Sequence, residues 1–164
     1  MQVDNDFQTP FWCCEYMASL LESNIHTILE PTPGKGNLVK ILNKHFPQVL
    51  TPQGNFWDLI NSEHYGSASW DAVVMNPPAT PMQNAYNILY ECMKYTDRIV
   101  ALMPWLTIIN SQKRTKDILD FGLISITHLP RSTFPGSRIQ TCVLNMKKNY
   151  EKEIKFKVIG HGID

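Results

Sequence analysis

Apolar runs and amphipathic segments alternate along this chain, and the runs end at prolines, glycines or polar turns. Short continuous apolar runs predict strands buried inside a parallel sheet, over residues 27–29, 72–75 and 99–103. Apolar residues at helical spacing predict helices, over about 11–23, 38–46, 82–95 and 111–121. Gly122 is expected to end the last of these helices. Strands that alternate with helices in this way are typical of βαβ units.

The last third of the chain predicts a different arrangement. Apolar residues over 123–129 and 140–146 predict an antiparallel pair, and residues 154–158 predict an edge strand with its lysines outward. In the middle of the chain the pattern is weaker, and it predicts a short strand at 49–50 and a loop or strand end at 55–59. We therefore predict an α/β fold, a Rossmann-like, doubly wound and mostly parallel sheet with an antiparallel edge strand.

Composition indicates one ordinary globular domain. The chain has 164 residues, 43% hydrophobic and 18% charged, which is enough for one proper core but tight for two. No internal repeat or linker-like stretch divides it, so a single domain over 1–164 is expected. The formal net charge is zero, so no overall field attracts nucleic acid and any basic surface must be local.

The four cysteines are not arranged as metal ligands or redox pairs. No C-x-x-C pair occurs and no histidine follows at ligand spacing, so we predict free thiols in a reducing compartment and no metal site. The sequence also has no signal peptide and no apolar run of membrane-spanning length. A cytoplasmic protein with no membrane partner is therefore expected.

The run Asn76-Pro77-Pro78 ends the apolar strand 72–75 abruptly. Proline cannot donate to a strand ladder, and it pushes the preceding residue to extended geometry. The Asn76 amide and nearby carbonyls are therefore expected at the carboxyl end of the strand, where open α/β sheets bind their ligands. A plain Pro-Pro turn after a core strand is the alternative for this run taken alone.

A second loop at the end of a strand carries a carboxylate and glycines. Glu30-Pro-Thr-Pro-Gly34-Lys-Gly36 lies between the strand 27–29 and a helix. Glycines allow backbone to approach a ligand, and a carboxylate there can accept from an amine or a ribose hydroxyl. The spacing departs from the dinucleotide pattern G-x-G-x-x-G, so alone it fits a simple turn equally well. With Asn76-Pro77-Pro78 on a later strand, the ligand-binding interpretation is favoured.

Together these motifs resemble those of class I S-adenosylmethionine-dependent amino-methyltransferases, most closely the DNA N6-adenine methyltransferases. Phe7-Gln-Thr9-Pro10 is similar to the N-terminal motif that closes over the cofactor's methionine part, and 30–36 is similar to the cofactor loop. Asn55-Phe56 falls where the family places residues around the cofactor's adenine. Asn76-Pro77-Pro78 resembles the catalytic motif, and Thr133-Phe134-Pro135 the late motif that supplies an aromatic face for the base. The motif order is similar to the gamma arrangement.

The resemblance implies S-adenosylmethionine as the cofactor, a class I methyltransferase fold and methyl transfer to the N6 amino group of adenine in DNA. The cofactor-binding residues it implies are Thr9, Pro10, Glu30, Thr32, Gly34, Gly36, Asn55 and Phe56. The catalytic residues it implies are Asn76, Pro77 and Pro78, with Phe134 and Ala79 at the substrate base. Arg131 and Arg138 flank Phe134 and are the candidates for contact with the DNA backbone.

The chemistry accounts for the residue types. The lone pair of adenine's exocyclic amine is conjugated with the ring, so the amine is a poor nucleophile. Two acceptors on its two N–H groups, the Asn76 side-chain oxygen and the Pro77 carbonyl, would draw the nitrogen toward tetrahedral geometry. The base must also leave the duplex or arrive single-stranded.

Three positions depart from the family pattern. An aromatic residue follows the second proline in active N6-adenine enzymes, and here that residue is Ala79. An acidic residue is expected where Asn55 stands, and the short interval 46–54 leaves only Gln53 in place of the ribose-binding carboxylate. Two alternatives therefore stay open: a catalytically degenerate binding or structural module, and a protein glutamine or other amine methyltransferase.

The chain is also expected to lack its own target-recognition domain, because it ends just after the late motif. Duplex specificity would then come from a partner subunit, from loops, or not at all, and the partner expected is a separate specificity subunit or a second copy of the chain. The basic run Lys113 to Lys116 has two interpretations, a nucleic-acid contact or an ordinary solvated face, and the second is the more common.

Overall fold

Strands and helices alternate over the part of the chain that the computed structural model describes, residues 7–62 and 69–159. The strands are β1 Thr27–Leu29, β2 Gln48–Leu50, β3 Ala72–Met75, β4 Arg98–Pro104, β5 Leu123–His128, β6 Thr141–Lys147 and β7 Lys155–Val158. The helices are α1 Phe11–Ser19, α2 Asn37–His45, α3 Phe56–Asn61, α4 Met82–Tyr95, α5 Leu106–Ile109 and α6 Gln112–Phe121. A 3₁₀ turn, Arg131–Thr133, lies between β5 and β6.

The strands form one sheet in the order β2-β1-β3-β4-β6-β5-β7. β2, β1, β3 and β4 are parallel to one another, β6 is antiparallel to both β4 and β5, and β7 is parallel to β5. The predicted doubly wound, mostly parallel α/β fold is confirmed. The antiparallel strand is β6, which lies inside the sheet with β5 and β7 beyond it.

Continuous apolar runs become the central strands because both faces of the sheet are covered. Every residue of β3 and β4 is buried. One core cluster packs Val73 and Met75 against α4 and α6, and the other packs Val74 and neighbouring strand residues against α1 and α2. A strand buried on both faces has no solvated side to which polar residues would alternate.

The first helix is shorter than predicted. α1 ends at Ser19 rather than near residue 23, because the amides of Leu20 and Leu21 bond to carbonyls three residues back, at 3.3 and 3.2 Å. This tighter 3₁₀ spacing closes the helix while its apolar stripe continues into the following turn. The stripe therefore predicts burial correctly but overestimates the helix.

The segment 55–59 was predicted as a loop or strand end, and that prediction is wrong. It begins the short helix α3, whose N-cap is Asn55. The Asn55 side-chain oxygen accepts from the Asp58 backbone N–H at 2.9 Å, which satisfies one of the free donors of the first turn. Six residues are too few for helical periodicity to identify such a helix.

The parallel strands place the candidate site. β1, β3 and β4 are neighbours with the same direction, so their carboxyl ends lie at one edge of the sheet. Glu30 directly follows β1 and Asn76 directly follows β3. At the opposite end, the Asp71 carboxylate accepts from the backbone N–H groups of His26 and Thr27, both at 2.9 Å, and holds β3 in register with β1.

Candidate active site

A cavity of about 1280 Å³ opens at the carboxyl ends of β1, β3 and β4. Its walls include twelve of the fifteen residues that the sequence singles out. They are Thr9, Glu30, Thr32, Gly34, Asn55, Phe56, Asn76, Pro77, Pro78, Ala79, Phe134 and Arg138. Residues separated by up to 129 positions in the chain thus converge on one cavity, as ligand sites in doubly wound sheets do.

The Asn76 amide is held in one orientation by the N-terminal segment. Its Nδ2 donates to Thr9 Oγ1 at 3.0 Å and to the Phe7 carbonyl at 3.3 Å. Because both bonds use the nitrogen, the side-chain oxygen Oδ1 is left as the atom that can accept from another molecule. Pro77 is buried and Pro78 exposed, so the turn itself is anchored on one side.

Glu30 is a buried carboxyl group at the end of β1, only 1% exposed. Its Oε1 accepts from the Thr32 backbone N–H at 2.8 Å and from the Thr32 hydroxyl at 3.3 Å. Burial raises the pKa of Glu30 to about 8 and outweighs these two bonds, which favour the charged form. The Thr32 hydroxyl also lies 3.3 Å from the Asn76 carbonyl, so the two loops are in contact.

The N-terminal segment links the walls of the cavity. Gln8 Oε1 accepts from the Lys35 backbone N–H at 3.1 Å, and the Thr9 carbonyl accepts from Asn37 Nδ2 at 3.2 Å. These bonds fasten residue 8 to the loop before α2 and residue 9 to the first residue of α2. The segment thereby ties the loop of residues 30–36 to Asn76.

Asn55 and Phe56 line the cavity, but their side chains are largely committed to the fold. Asn55 caps α3, and its Nδ2 also lies at hydrogen-bonding distance from the Asp58 carboxylate. Phe56 is 3% exposed, whereas the next residue, Trp57, is 40% exposed and packs edge-to-face on it at 5.1 Å. Trp57 is thus the accessible aromatic residue on this wall.

Phe134 and Ala79 also belong to the walls, with little accessible surface from Phe134. Its ring is 7% exposed and packs with the core on the α1–α2 face of the sheet. Ala79 is half-buried against the other core cluster. Gln53, the weak substitute for a ribose-binding carboxylate, is exposed and does not line the cavity.

Three of the residues that the sequence singles out lie outside the cavity walls: Pro10, Gly36 and Arg131. Pro10 precedes the first turn of α1, and its carbonyl accepts from the amides of Cys13 and Cys14, both at 3.0 Å. Gly36 has a φ of +86° and caps α2, so its conformation serves the turn. Arg131 begins the 3₁₀ turn on the surface, while Arg138 reaches the cavity wall.

The basic run Lys113 to Lys116 is paired within its own helix. Lys113 contacts Asp117 at 2.6 Å, and Lys116 pairs with Asp120. The Arg114 guanidinium lies over the ring of Tyr86, with its carbon 3.6 Å from the ring centre. These contacts favour the solvated-face interpretation.

Sequence reasoning did not assign Gln8, Trp57 or Asn84 to the site, although all three line the cavity. The only sequence feature that points to Trp57 is the pair Phe56-Trp57, in a segment predicted as a loop or strand end. Asn84 lies in the first turn of α4, which follows the Pro-Pro segment. Within the described residues, no group of three or more His, Cys, Asp or Glu side chains is placed to hold a metal ion, and no helix is long and apolar enough to cross a membrane.

No protein-family model matches the sequence, and no curated protein matches it. The structure is nevertheless similar to several solved methyltransferases. One is a Listeria monocytogenes protein described as a class I S-adenosylmethionine-dependent methyltransferase, with a TM-score of 0.71 at 15% identity. The match covers 96% of this chain and 67% of that one.

Two further likenesses are to proteins of type I restriction-modification systems. The methyltransferase subunit from Streptococcus thermophilus gives a TM-score of 0.70 at 15% identity, over 93% of this chain and 47% of that one. The M protein of the restriction enzyme EcoKI gives 0.68 at 11% identity, over 90% and 45%. The chain therefore spans just under half the length of these two subunits. Together the likenesses establish the class I methyltransferase fold.

Proposed function

We propose that this protein is an S-adenosylmethionine-dependent methyltransferase whose acceptor is the N6 amino group of adenine in DNA. The observation that carries the proposal is the Asn76 amide at the carboxyl end of β3. Its nitrogen is bonded to Thr9 and Phe7, and its oxygen remains available to accept from an amine. The fold supports methyl transfer as the reaction class.

The cavity suits a cofactor that carries positive charge. S-adenosylmethionine, when bound, supplies an electrophilic methyl group on a sulfonium sulfur. Glu30 is buried at one wall, and its pKa is set by loss of water and by the two bonds from Thr32. A cationic group placed beside it would favour the carboxylate form and recover the cost of its burial. Thr32 and Gly34 continue the same wall, and Trp57 offers an exposed ring on another.

Gly34 also fits a loop that must stay small. Its φ is +52°, and a Cβ there would lie 2.5 Å from Gln8 Nε2. A side chain at this position would push aside the Gln8 amide group, which bonds to the Lys35 backbone N–H. The residues present therefore fit a small, cationic, partly aromatic cofactor held among Gln8, Glu30, Thr32 and Trp57.

The acceptor chemistry depends on two oxygens of this chain. Asn76 Oδ1 and the Pro77 carbonyl would hold the two N–H groups of an exocyclic amine. This reduces the conjugation of the nitrogen lone pair with the ring and directs it to the cofactor side of the cavity. Holding the amine in this geometry contributes through positioning. The same chemistry serves a planar amide, so a glutamine side chain is the second candidate acceptor.

DNA as the substrate, with a separate specificity subunit as the partner, is supported by the type I restriction-modification proteins among the structural neighbours. Arg138 on the cavity wall is the candidate phosphate contact, and Arg131 lies nearby in the chain on the surface. Ala79 and the exposed Gln53 favour the remaining alternative, a module that has kept the fold but lost catalysis.

One experiment separates these functions. The protein is incubated with methyl-labelled S-adenosylmethionine in three parallel reactions. The acceptors are adenine-containing DNA, cytosine-only DNA and a glutamine-rich protein mixture. The digested DNA is analysed for N6-methyladenine by mass spectrometry. Label in N6-methyladenine alone supports the proposal, and label in protein alone supports the amide acceptor. If calorimetry shows that the protein binds S-adenosylmethionine but no acceptor is labelled, the protein is a degenerate module and the proposal is overturned.

A further inference from the structure

A planar base held at Asn76 needs an apolar ring face beside it. Base stacking on an aromatic side chain is sequence-tolerant and contributes measurably per base. Ala79 has no ring with which to stack, and Phe134 is only 7% exposed. Neither residue that the sequence assigns to the base therefore offers a ring face.

Phe7 has the accessible ring on this side of the cavity. It is 41% exposed and lines the cavity, and its ring packs edge-to-face on Phe134 with the centres 6.2 Å apart. A single exposed aromatic residue is common on protein surfaces. Its position gives it significance here, because the Phe7 carbonyl accepts directly from the Asn76 amide at 3.3 Å.

The neighbours of Phe7 separate the two halves of the cavity. The Gln8 side-chain oxygen accepts from the Lys35 backbone N–H, and its nitrogen lies near Gly34, so this side chain lies against the loop of residues 30–36. The Phe7 ring instead contacts Phe134, on the wall formed by the segment before β6. Consecutive side chains thus serve different parts of the cavity, and the Phe7 ring contacts the part that Phe134 forms.

We propose that Phe7 is the base-stacking residue of this protein and takes the role that Ala79 cannot perform. Phe134 packs against the Phe7 ring in a T-shaped contact and supports it. This inference rests on the proposed function, since it names the residue that binds the acceptor at the same site. It predicts that Phe7 contributes to binding of the base and not to binding of the cofactor.

The test compares Phe7→Ala, Phe7→Tyr and Phe7→Leu with the unchanged protein, using single-stranded oligodeoxyadenylate as the acceptor. Phe7→Ala is expected to lower kcat/KM for the oligonucleotide about 10- to 100-fold, mainly through KM. Phe7→Tyr keeps a flat ring and should stay within about threefold, whereas Phe7→Leu keeps an apolar side chain without a flat face and should resemble Phe7→Ala. Calorimetric affinity for S-adenosylmethionine should be unchanged in all three.

Phe11→Ala is the matched control, because Phe11 is 51% exposed on α1 and lies outside the cavity walls. Binding is read separately from catalysis with an oligonucleotide that carries 2-aminopurine, whose fluorescence a stacked Phe7 should quench. Circular dichroism confirms that each variant is folded. Loss of quenching in Phe7→Ala but not in Phe11→Ala supports the inference.

Three results would overturn it. If Phe7→Ala keeps kcat/KM and quenching within twofold of the unchanged protein, Phe7 does not stack on the base. If the same variant loses affinity for S-adenosylmethionine instead, Phe7 belongs to the cofactor half. If the unchanged protein transfers no methyl group to any acceptor, the proposed function itself fails, and that outcome is distinct from the first two.

Discussion

At the residue scale, the two polar groups at the strand ends are prepared in opposite ways. Asn76 is neutral and fixed through its nitrogen by Thr9 and Phe7. Glu30 is ionisable and buried, and its bonds from Thr32 do not compensate for the loss of water. A neutral acceptor suits an amine, and a buried carboxylate suits a cation. One cavity thus offers different chemistry to two ligands.

The raised pKa of Glu30 predicts how stability changes with pH. The carboxyl group has an ordinary pKa of 4.5 and a folded-state pKa of about 8, so between these values the folded state binds the extra proton. Stability is therefore lost as pH rises from 4.5 towards 8 and then levels off. Glu30→Gln removes this effect and should raise Tm at pH 9 by about 4 °C or more, with little change at pH 4.5.

Thermal unfolding monitored by circular dichroism at several pH values measures this difference. Glu151→Gln, at an exposed carboxylate, serves as the control, and its Tm should follow that of the unchanged protein at every pH. If Glu30→Gln shifts Tm by the same amount at pH 4.5 and at pH 9, the folded-state pKa of Glu30 is not raised.

The sequence predicts which residues end strands, and here that was enough to bring Glu30 and Asn76 together. It does not predict what each side chain is already bonded to. Asn55 looks like an adenine-binding amide, yet its oxygen caps α3. Phe134 looks like a base platform, yet it is buried against core residues distant in sequence. Such commitments depend on long-range packing, which local patterns do not contain.

At the element scale, the junction between α6 and β5 is the tightest of the described turns that contain glycine. Gly122 has a φ of +130°, and a Cβ there would lie 2.0 Å from the Lys147 carbonyl oxygen and 2.8 Å from the Tyr150 nitrogen. Both contacts are backbone atoms of the chain that leaves β6. The glycine therefore does more than stop α6, because it lets the end of β6 pass close to the junction.

Gly122→Ala should consequently lower the free energy of unfolding by about 3–4 kcal/mol, from backbone strain combined with overlap. Gly136→Ala is the matched control, since its φ is +82° but a Cβ would have nothing within 4 Å. That variant should lose only about 1 kcal/mol. Urea unfolding measures both, and equal losses would show that close packing at Gly122 does not matter.

Elements with a clear apolar pattern follow from the sequence, and α3 and α5 do not. α4 and the strands β1, β3 and β6 lie within one residue of the predicted bounds, since each carries a full period of apolar residues. α3 and α5 have six and four residues, and their existence depends on a cap and on the chain's path. The sequence predicts that β5 and β6 pair in antiparallel fashion. It does not predict that β6 lies beside β4, because that position depends on which edge of the parallel sheet is still unpaired.

At the scale of the whole molecule, Arg98 joins three parts of the fold. It is 4% exposed at the start of β4. Its guanidinium donates to Glu22 and to the Leu20 carbonyl after α1, at 2.9 and 2.7 Å, and to Asn145 and the Met146 carbonyl on β6, at 2.6 and 2.9 Å. One buried cation thus satisfies acceptors from both sides of the central strand.

Arg98→Met should lower the free energy of unfolding by about 2–4 kcal/mol, because it leaves buried carbonyl and amide oxygens without donors. Glu22 is 41% exposed and keeps its contact with Lys147 Nζ at 3.4 Å, so the loss of its bond from Arg98 adds little. Lys148→Met, at a surface ion pair with Asp97 of 3.8 Å, is the control and should cost less than 1 kcal/mol. Similar losses in the two variants by urea unfolding would contradict the role of Arg98.

If the Asn76 amide activates an acceptor amine, the rate of N6-methyladenine formation must depend on its side chain. The unchanged protein, Asn76→Ala and Asn84→Ala are compared at saturating S-adenosylmethionine on the same adenine-containing oligonucleotide, with cofactor affinity measured separately. Asn84 is another amide that lines the cavity, but it lies in the first turn of α4 and does not end a strand. We expect Asn76→Ala to lower kcat by about 100-fold or more, with cofactor affinity unchanged and Asn84→Ala near the unchanged rate. Equal rates for Asn76→Ala and the unchanged protein would show that the Asn76 amide does not activate the acceptor.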